Sequence, residues 1–212
     1  MLGNCNHILL SILLLSFASN GFAENRIIIN FENIPSLNQE ADLIKSIENY
    51  TSAQKLQRHL AKQNWIDQFL IKRSFFGTSV KAFIKSKKPQ YVWKDKFYLD
   101  QKLSKFTYDG GYLKLIRLNM PLEYLASWVN IETQYLTLLD NFNLTLESAN
   151  FEPVIGWYFI TNNSLRINLG DDLSNDTYQK LSLTFKYMFE NNLTPSIIDL
   201  RYKAGAALNY GK

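Results

Sequence analysis

Cysteine is nearly absent from this chain. Cys5 is the only one in 212 residues, so no intramolecular disulfide can form whatever the compartment. A Cys nucleophile is also missing from everything after the first few residues. Leu2-Gly-Asn-Cys5 does not read as a lipid-attachment motif, because such a cysteine follows a hydrophobic run and this one precedes it. Histidine is almost as scarce, with His7 and His59 alone. Without an acid cluster to help, two histidines cannot build a metal centre. Gly-x-Ser-x-Gly, a phosphate-binding glycine loop and a paired-carboxylate motif are all lacking. So are internal repeats, low-complexity tracts and coiled-coil heptads. Charge of one sign is weak: the net charge is +4 and the basic residues are scattered, with one short cluster at Lys85-Ser-Lys87-Lys88. A solvated surface accounts for that balance, and no nucleic-acid motif accompanies it.

What is present is apolar mass. Hydrophobic residues make up 46% of the chain and aromatics 14%, ample for a folded core. The length suits one large domain or two small ones.

A single long apolar run stands at the front, Ile8 to Phe17, and continues to Ala23. It has the length of a signal-peptide core and is short of the roughly 20 residues that span a bilayer. Gly21 and Ala23 fit a cleavage site before Glu24, so residues 1–23 are a cleaved signal segment or a short retained anchor. The charge rule does not separate these, since only Arg26 follows closely. Either way residues 24–212 lie outside the cytoplasm.

The rest reads as α+β. A strand is expected over 27–34. Apolar residues at 43, 44 and 47 give a helix over 41–47, and Thr51 or Ser52 caps another over 53–63 with Leu56 and Leu60 inward. Strands follow over 69–75 and 79–85, turned by Phe76-Gly77-Thr78. After Lys87-Lys88-Pro89 the pattern is strand-rich: 91–93, 96–100 and 114–118, with a turn at Asp109-Gly110-Gly111. A helix over 122–141 precedes strands over 144–149, 154–160 and 164–169, the last two turned by Asn162-Asn163. Leu181, Phe185 and Met188 stripe a helix over 174–191. A final strand over 196–202 continues past Gly205.

Candidate chemistry is thin. His59 reads as a helix-surface or satisfied interface residue. Asp171 and Asp172 read as a turn with an Asp capping the next helix. Trp65, Trp93, Trp128 and Trp157 lie in periodic segments and are expected in the core. The C-terminal strand differs. Arg201, Tyr202, Lys203, Ala204, Gly205 and Ala206 follow an apolar Ile198–Leu200 stretch, and the small residues let another backbone approach. This strand is either the last paired strand of its sheet or an open edge able to accept a partner strand.

Several stretches resemble FtsQ/DivIB cell division proteins. Asn64-Trp65-Ile66 resembles that family's Pro-Trp-Val, and Ile71-Lys-Arg73-Ser-Phe75 its Val-x-Arg-x-Trp. Pro89-Gln-Tyr-Val-Trp93 resembles Pro-Val-Ala-x-Trp, followed by Leu99-Asp100. Trp157 to Gly170 resembles its late hairpin ending in Leu-Gly, and Ile198-Asp-Leu-Arg-Tyr202 with Gly205-Ala-Ala207 is the strongest match. Their order and spacing over residues 27–210 carry the resemblance. The departures are Asn64 for Pro, Phe75 for Trp, Ser86 for an acid, and Ile155-Gly156 for a basic residue.

The resemblance implies an N-terminal membrane segment at 1–23, a POTRA domain of order β-α-α-β-β at 24–89 and an FtsQ-type β domain with two helices at 90–212. It implies a non-enzymatic divisome scaffold without a cofactor, held in the inner membrane and facing the periplasm, with partners of FtsB and FtsL type. The working surface would be Arg201–Ala206, used by strand addition. The alternatives are a POTRA-bearing periplasmic chaperone or secretion component, and a secreted enzyme of unrecognised type.

Overall fold

The computed structural model of the chain describes residues 26–33, 35–73, 79–110, 114–203 and 205–211. The apolar segment expected at 1–23 and the turn at 76–78 lie outside them. The fold is α+β, and the chain divides into two compact units: Met1–Pro89 with Asp100–Leu113, and Gln90–Leu99 with Lys114–Lys212.

The first unit runs β1 (Arg26–Phe31), α1 (Leu37–Ile47), α2 (Ala53–Leu60), β2 (Ile66–Arg73) and β3 (Ser79–Ser86). Its sheet has the order β1-β3-β2, with β1 parallel and β2 antiparallel to β3. Alternation along β3 buries Val80, Ala82 and Ile84 on one face. Leu43 and Ile47 of α1 and Leu56 and Leu60 of α2 are buried with them. Each such aliphatic side chain contributes about 1.5–3 kcal/mol by leaving water. The first helix starts at Leu37, earlier than the apolar spacing suggested, because Ser36 and Gln39 close a capping box. The segment after Asp100 is also tied down within this unit. Asp100 Oδ1 accepts from the amides of Lys102 and Ser104. Gln39 Nε2 donates to Thr107 O at 2.9 Å, Thr107 Oγ1 donates to Asn64 Oδ1 at 3.0 Å, and the Ser36 hydroxyl donates to Asp109. Between them lies β6 (Lys105–Phe106).

The second unit holds β4 (Tyr91–Trp93), β5 (Phe97–Leu99), β7 (Ile116–Asn119), α3 (Leu122–Asp140), β8 (Leu146–Glu152), β9 (Gly156–Thr161), β10 (Arg166–Gly170), α4 (Asn175–Glu190), β11 (Ile197–Asp199) and β12 (Ala207–Asn209). Its strands lie in the order β12-β11-β10-β9-β8-β7-β4-β5. The two helices serve as crossovers, α3 between the parallel strands β7 and β8, and α4 between the parallel strands β10 and β11. Register places Leu118, Ala149, Phe159, Ile167 and Ile198 in one row across five strands, all fully buried. The rings of Trp128 and Tyr135 on α3 meet Phe159 edge-on at 5.4 and 5.2 Å. The adjacent row, turned to the other face, is polar: Asn119, Asn150, Tyr158, Asn168 and Asp199. Asn119 Nδ2 donates to Asn150 Oδ1 at 2.9 Å, and Arg166 donates to Asn168 while stacking on Tyr158.

The four tryptophans are buried, as expected from their periodic settings. Trp93 Nε1 donates to Met120 O at 2.9 Å. Gly156 is required by close approach: a Cβ there would lie 2.3 Å from Gly170 O, where β9 begins beside the end of β10. The strand expected over 154–160 therefore starts at Gly156, after a turn through Pro153 and Val154.

Candidate docking edge

The sheet of the second unit ends at β12, and no described strand pairs with its outer side. The expected single final strand is in fact two. β11 runs parallel to β10, then the chain reverses and β12 returns antiparallel, pairing Ile197 with Asn209, Ile198 with Leu208 and Asp199 with Ala207. Leu208 thus extends the buried apolar row by one position at the rim. The strand has 3 residues, short as edge strands tend to be.

The reversal has a local cause. The Asp199 carboxylate accepts from the Arg201 amide at 3.1 Å, a side-chain-closed turn that ends the strand. It also holds the Arg201 side chain, with Nε at 2.9 and 3.1 Å from its two oxygens and Nη2 at 2.5 Å. Hydrogen bonds from Arg201 hold the Asp199 carboxyl below its ordinary range, against the effect of burial, and Asp199 in turn raises Arg201. Gly205 then sits at φ +135°, open to glycine and not to a strand residue with a side chain.

This geometry fixes where the expected binding residues stand. Arg201, Tyr202, Lys203, Gly205 and Ala206 lie in the connection between β11 and β12, not within a strand, and Ala204 lies outside the described residues. Arg201, Tyr202 and Lys203 are exposed, while Gly205 and Ala206 are half-buried. Tyr202 is 59% exposed and Tyr210 55%, so two aromatic rings flank β12, one before it and one after it. Leu208 and Tyr210 were not singled out from the sequence. The alternation through Ala207-Leu208-Asn209-Tyr210 was the available signal.

The other candidates are dispersed. His59, in the last turn of α2, has Nε2 at 2.8 Å from Ser46 Oγ of α1 and 3.1 Å from Gln63 Nε2, and Nδ1 at 3.2 Å from Tyr50 Oη. It lines a cavity of about 390 Å³ in the first unit with Asp42, Gln63, Trp65 and Asp109. The cap of α4 is Ser174, not an aspartate. Its hydroxyl accepts from the Thr177 amide, while Asp172 supports it by accepting from the Ser174 amide at 3.0 Å and Thr177 Oγ1 at 3.1 Å. The hydrogen bonds from Ser174 lower the Asp172 carboxyl, with Thr177 and Lys180 adding to them. Asp171 is exposed.

The cell division protein FtsQ of Aliivibrio fischeri is 21% identical over 162 residues, 74% of this chain and 61% of that protein. The cell division protein FtsQ of Vibrio cholerae is 23% identical over 161 residues, 73% of this chain and 60% of that protein. Over about three quarters of its length the chain is thus similar to two FtsQ cell division proteins. The chain spans about three fifths of the length of the curated FtsQ proteins it matches. Searched against models of known protein families, it matches none. Among the described residues, no helix is long and apolar enough to cross a membrane.

Proposed function

We propose that the chain is a cell division protein that works as a non-enzymatic divisome scaffold, joining partners of FtsB and FtsL type. On this reading residues 24–89 are the POTRA domain and 90–212 the FtsQ-type β domain. Residues 1–23 hold the protein at the inner membrane, and the remainder faces the periplasm. The observation that carries the reading is the similarity to FtsQ proteins together with a final strand, β12, whose outer side pairs with no described strand and which is bracketed by the exposed rings of Tyr202 and Tyr210. A strand edge offers backbone N–H and C=O groups to an extended segment, and aromatic anchors beside it supply affinity. Lys203, exposed in the connection, adds positive charge that favours an acidic segment.

The test is depletion in the native bacterium together with capture of the periplasmic segment of its FtsB-type protein. Depleted cells should grow as filaments without septa. The Tyr202→Ala variant should bind the segment about 30-fold more weakly, the scale of an interface hot spot of about 2 kcal/mol. Normal septation on depletion, or full capture by a folded Tyr202→Ala protein, would refute the reading.

A further inference from the structure

We propose that Lys180 is a positioning residue for the docking edge, tying the connection between β11 and β12 to helix α4. The inference rests on the reading of β12 as that edge. Lys180 Nζ donates to Leu200 O at 3.0 Å and to Tyr202 O at 2.9 Å. These carbonyls follow the last residue of β11, where the ladder has ended and backbone acceptors need other partners. Lys180 itself is half-buried. Its neighbour Leu181 is fully buried with Phe185 on the inner stripe of α4, so the helix that carries the ammonium is firmly seated.

The residue between the two carbonyls is held from the other side. The Asp199 carboxylate takes both the Arg201 amide and its guanidinium. The Leu200 amide donates to Asn168 O at 2.8 Å. Leu200, Arg201 and Tyr202 are therefore fixed one after another as the chain leaves the sheet. The far end of β12 is pinned as well: the Ser196 amide donates to Asn209 O at 2.8 Å, and Ser196 Oγ to Gly211 O at 2.7 Å. A strand of 3 residues has few ladder bonds of its own. Its order then depends on these end contacts. A partner segment that pairs with an ordered strand does not have to order it first, which lowers the free-energy cost of binding. Lys180 accordingly supports affinity without touching the partner, and it holds Tyr202 by its carbonyl while leaving the ring free.

The experiment uses the full chain with Lys180→Met, Lys180→Gln and Lys180→Arg. Backbone amide hydrogen exchange is measured in the free protein, alongside dissociation from the immobilised periplasmic segment of the FtsB-type protein of the same bacterium. In Lys180→Met and Lys180→Gln the β12 amides that face β11 should exchange about tenfold faster, the scale of one lost charge-assisted hydrogen bond. Amides of β9 should stay as they are, with an unchanged melting temperature, and the partner should dissociate faster by a similar factor. Lys180→Arg should restore both properties, since a guanidinium also presents several donors. Unchanged exchange at β12 in a folded variant overturns the clamp and leaves the docking reading intact. Faster exchange with undiminished capture overturns the positioning role, and the docking reading then stands only if Tyr202→Ala still loses binding. If the unmodified protein captures no segment, the docking reading fails and the positioning role with it.

Discussion

Tyr135 carries a hydroxyl into the core of the second unit, where it has no hydrogen-bond partner among the described residues. Its ring is placed by packing: edge-on to Phe159 at 5.2 Å and to Tyr178 at 5.5 Å. Burial, then the nearby Asp172 and Tyr178, push its phenol well above the ordinary tyrosine range, so it stays neutral at any working pH. An unpaired buried hydroxyl costs about 1–3 kcal/mol. Tyr135→Phe should therefore raise the free energy of unfolding, by about 1 kcal/mol. Urea denaturation checks this, and a loss of stability would mean that the hydroxyl is bonded after all. The aromatic framework was legible from sequence because Trp128 and Trp157 sit in clear periodic runs. The polar face was not. Nothing in the order of Asn119, Asn150 and Asn168 shows that register would align them in one row with Tyr158.

The end of the sheet shows what element-level reading caught and what it missed. Apolar residues at Ile197, Ile198 and Leu200 read as strand, and β11 is there. The break after Asp199 depends on one side chain bonding two residues ahead, and alternation carries no sign of that. The start of α1 is the opposite case. Ser36-x-x-Gln39 was in plain view as a capping box, and the weaker apolar spacing set the expected start four residues late. β6, of 2 residues, is too short for any periodicity.

The Asp199 turn makes a pH prediction at this scale. Its carboxyl is lowered in the folded protein, chiefly by hydrogen bonds from Arg201. A depressed group stabilises fully above its unfolded value, about 3.9 for aspartate, and that contribution is lost as pH falls through the folded value. The connection should stay tight from neutrality down to the ordinary aspartate value of about 3.9 and loosen only as pH falls below it. The Arg201 and Leu208 amides, followed by nuclear magnetic resonance on acidification, report it. Asp199→Asn should be loose at neutral pH and show no such transition. A wild-type connection that holds unchanged to pH 2 would exclude the carboxylate as its fastener.

For the whole molecule, two cores are built from different residues. One includes Leu56, Ala82 and Ile84, and the other the row from Leu118 to Ile198. The order of elements along the chain was readable because apolar spacing and turn residues marked most of them. The proposed docking edge belongs to the second core, since Ile198 is the cross-strand partner of Leu208 and of Ile167. Matched core truncations test that dependence. Ile198→Ala and Leu56→Ala each remove a fully buried aliphatic side chain, at about 2–5 kcal/mol apiece. Ile198→Ala should open β10–β12 to hydrogen exchange and weaken capture of the partner segment. Leu56→Ala should open β1–β3 instead and leave capture near the unmodified level, because β12 is paired to β11 within the second unit. Equal loss of capture in both, with each protein still folded, would place the working surface somewhere other than the β12 edge.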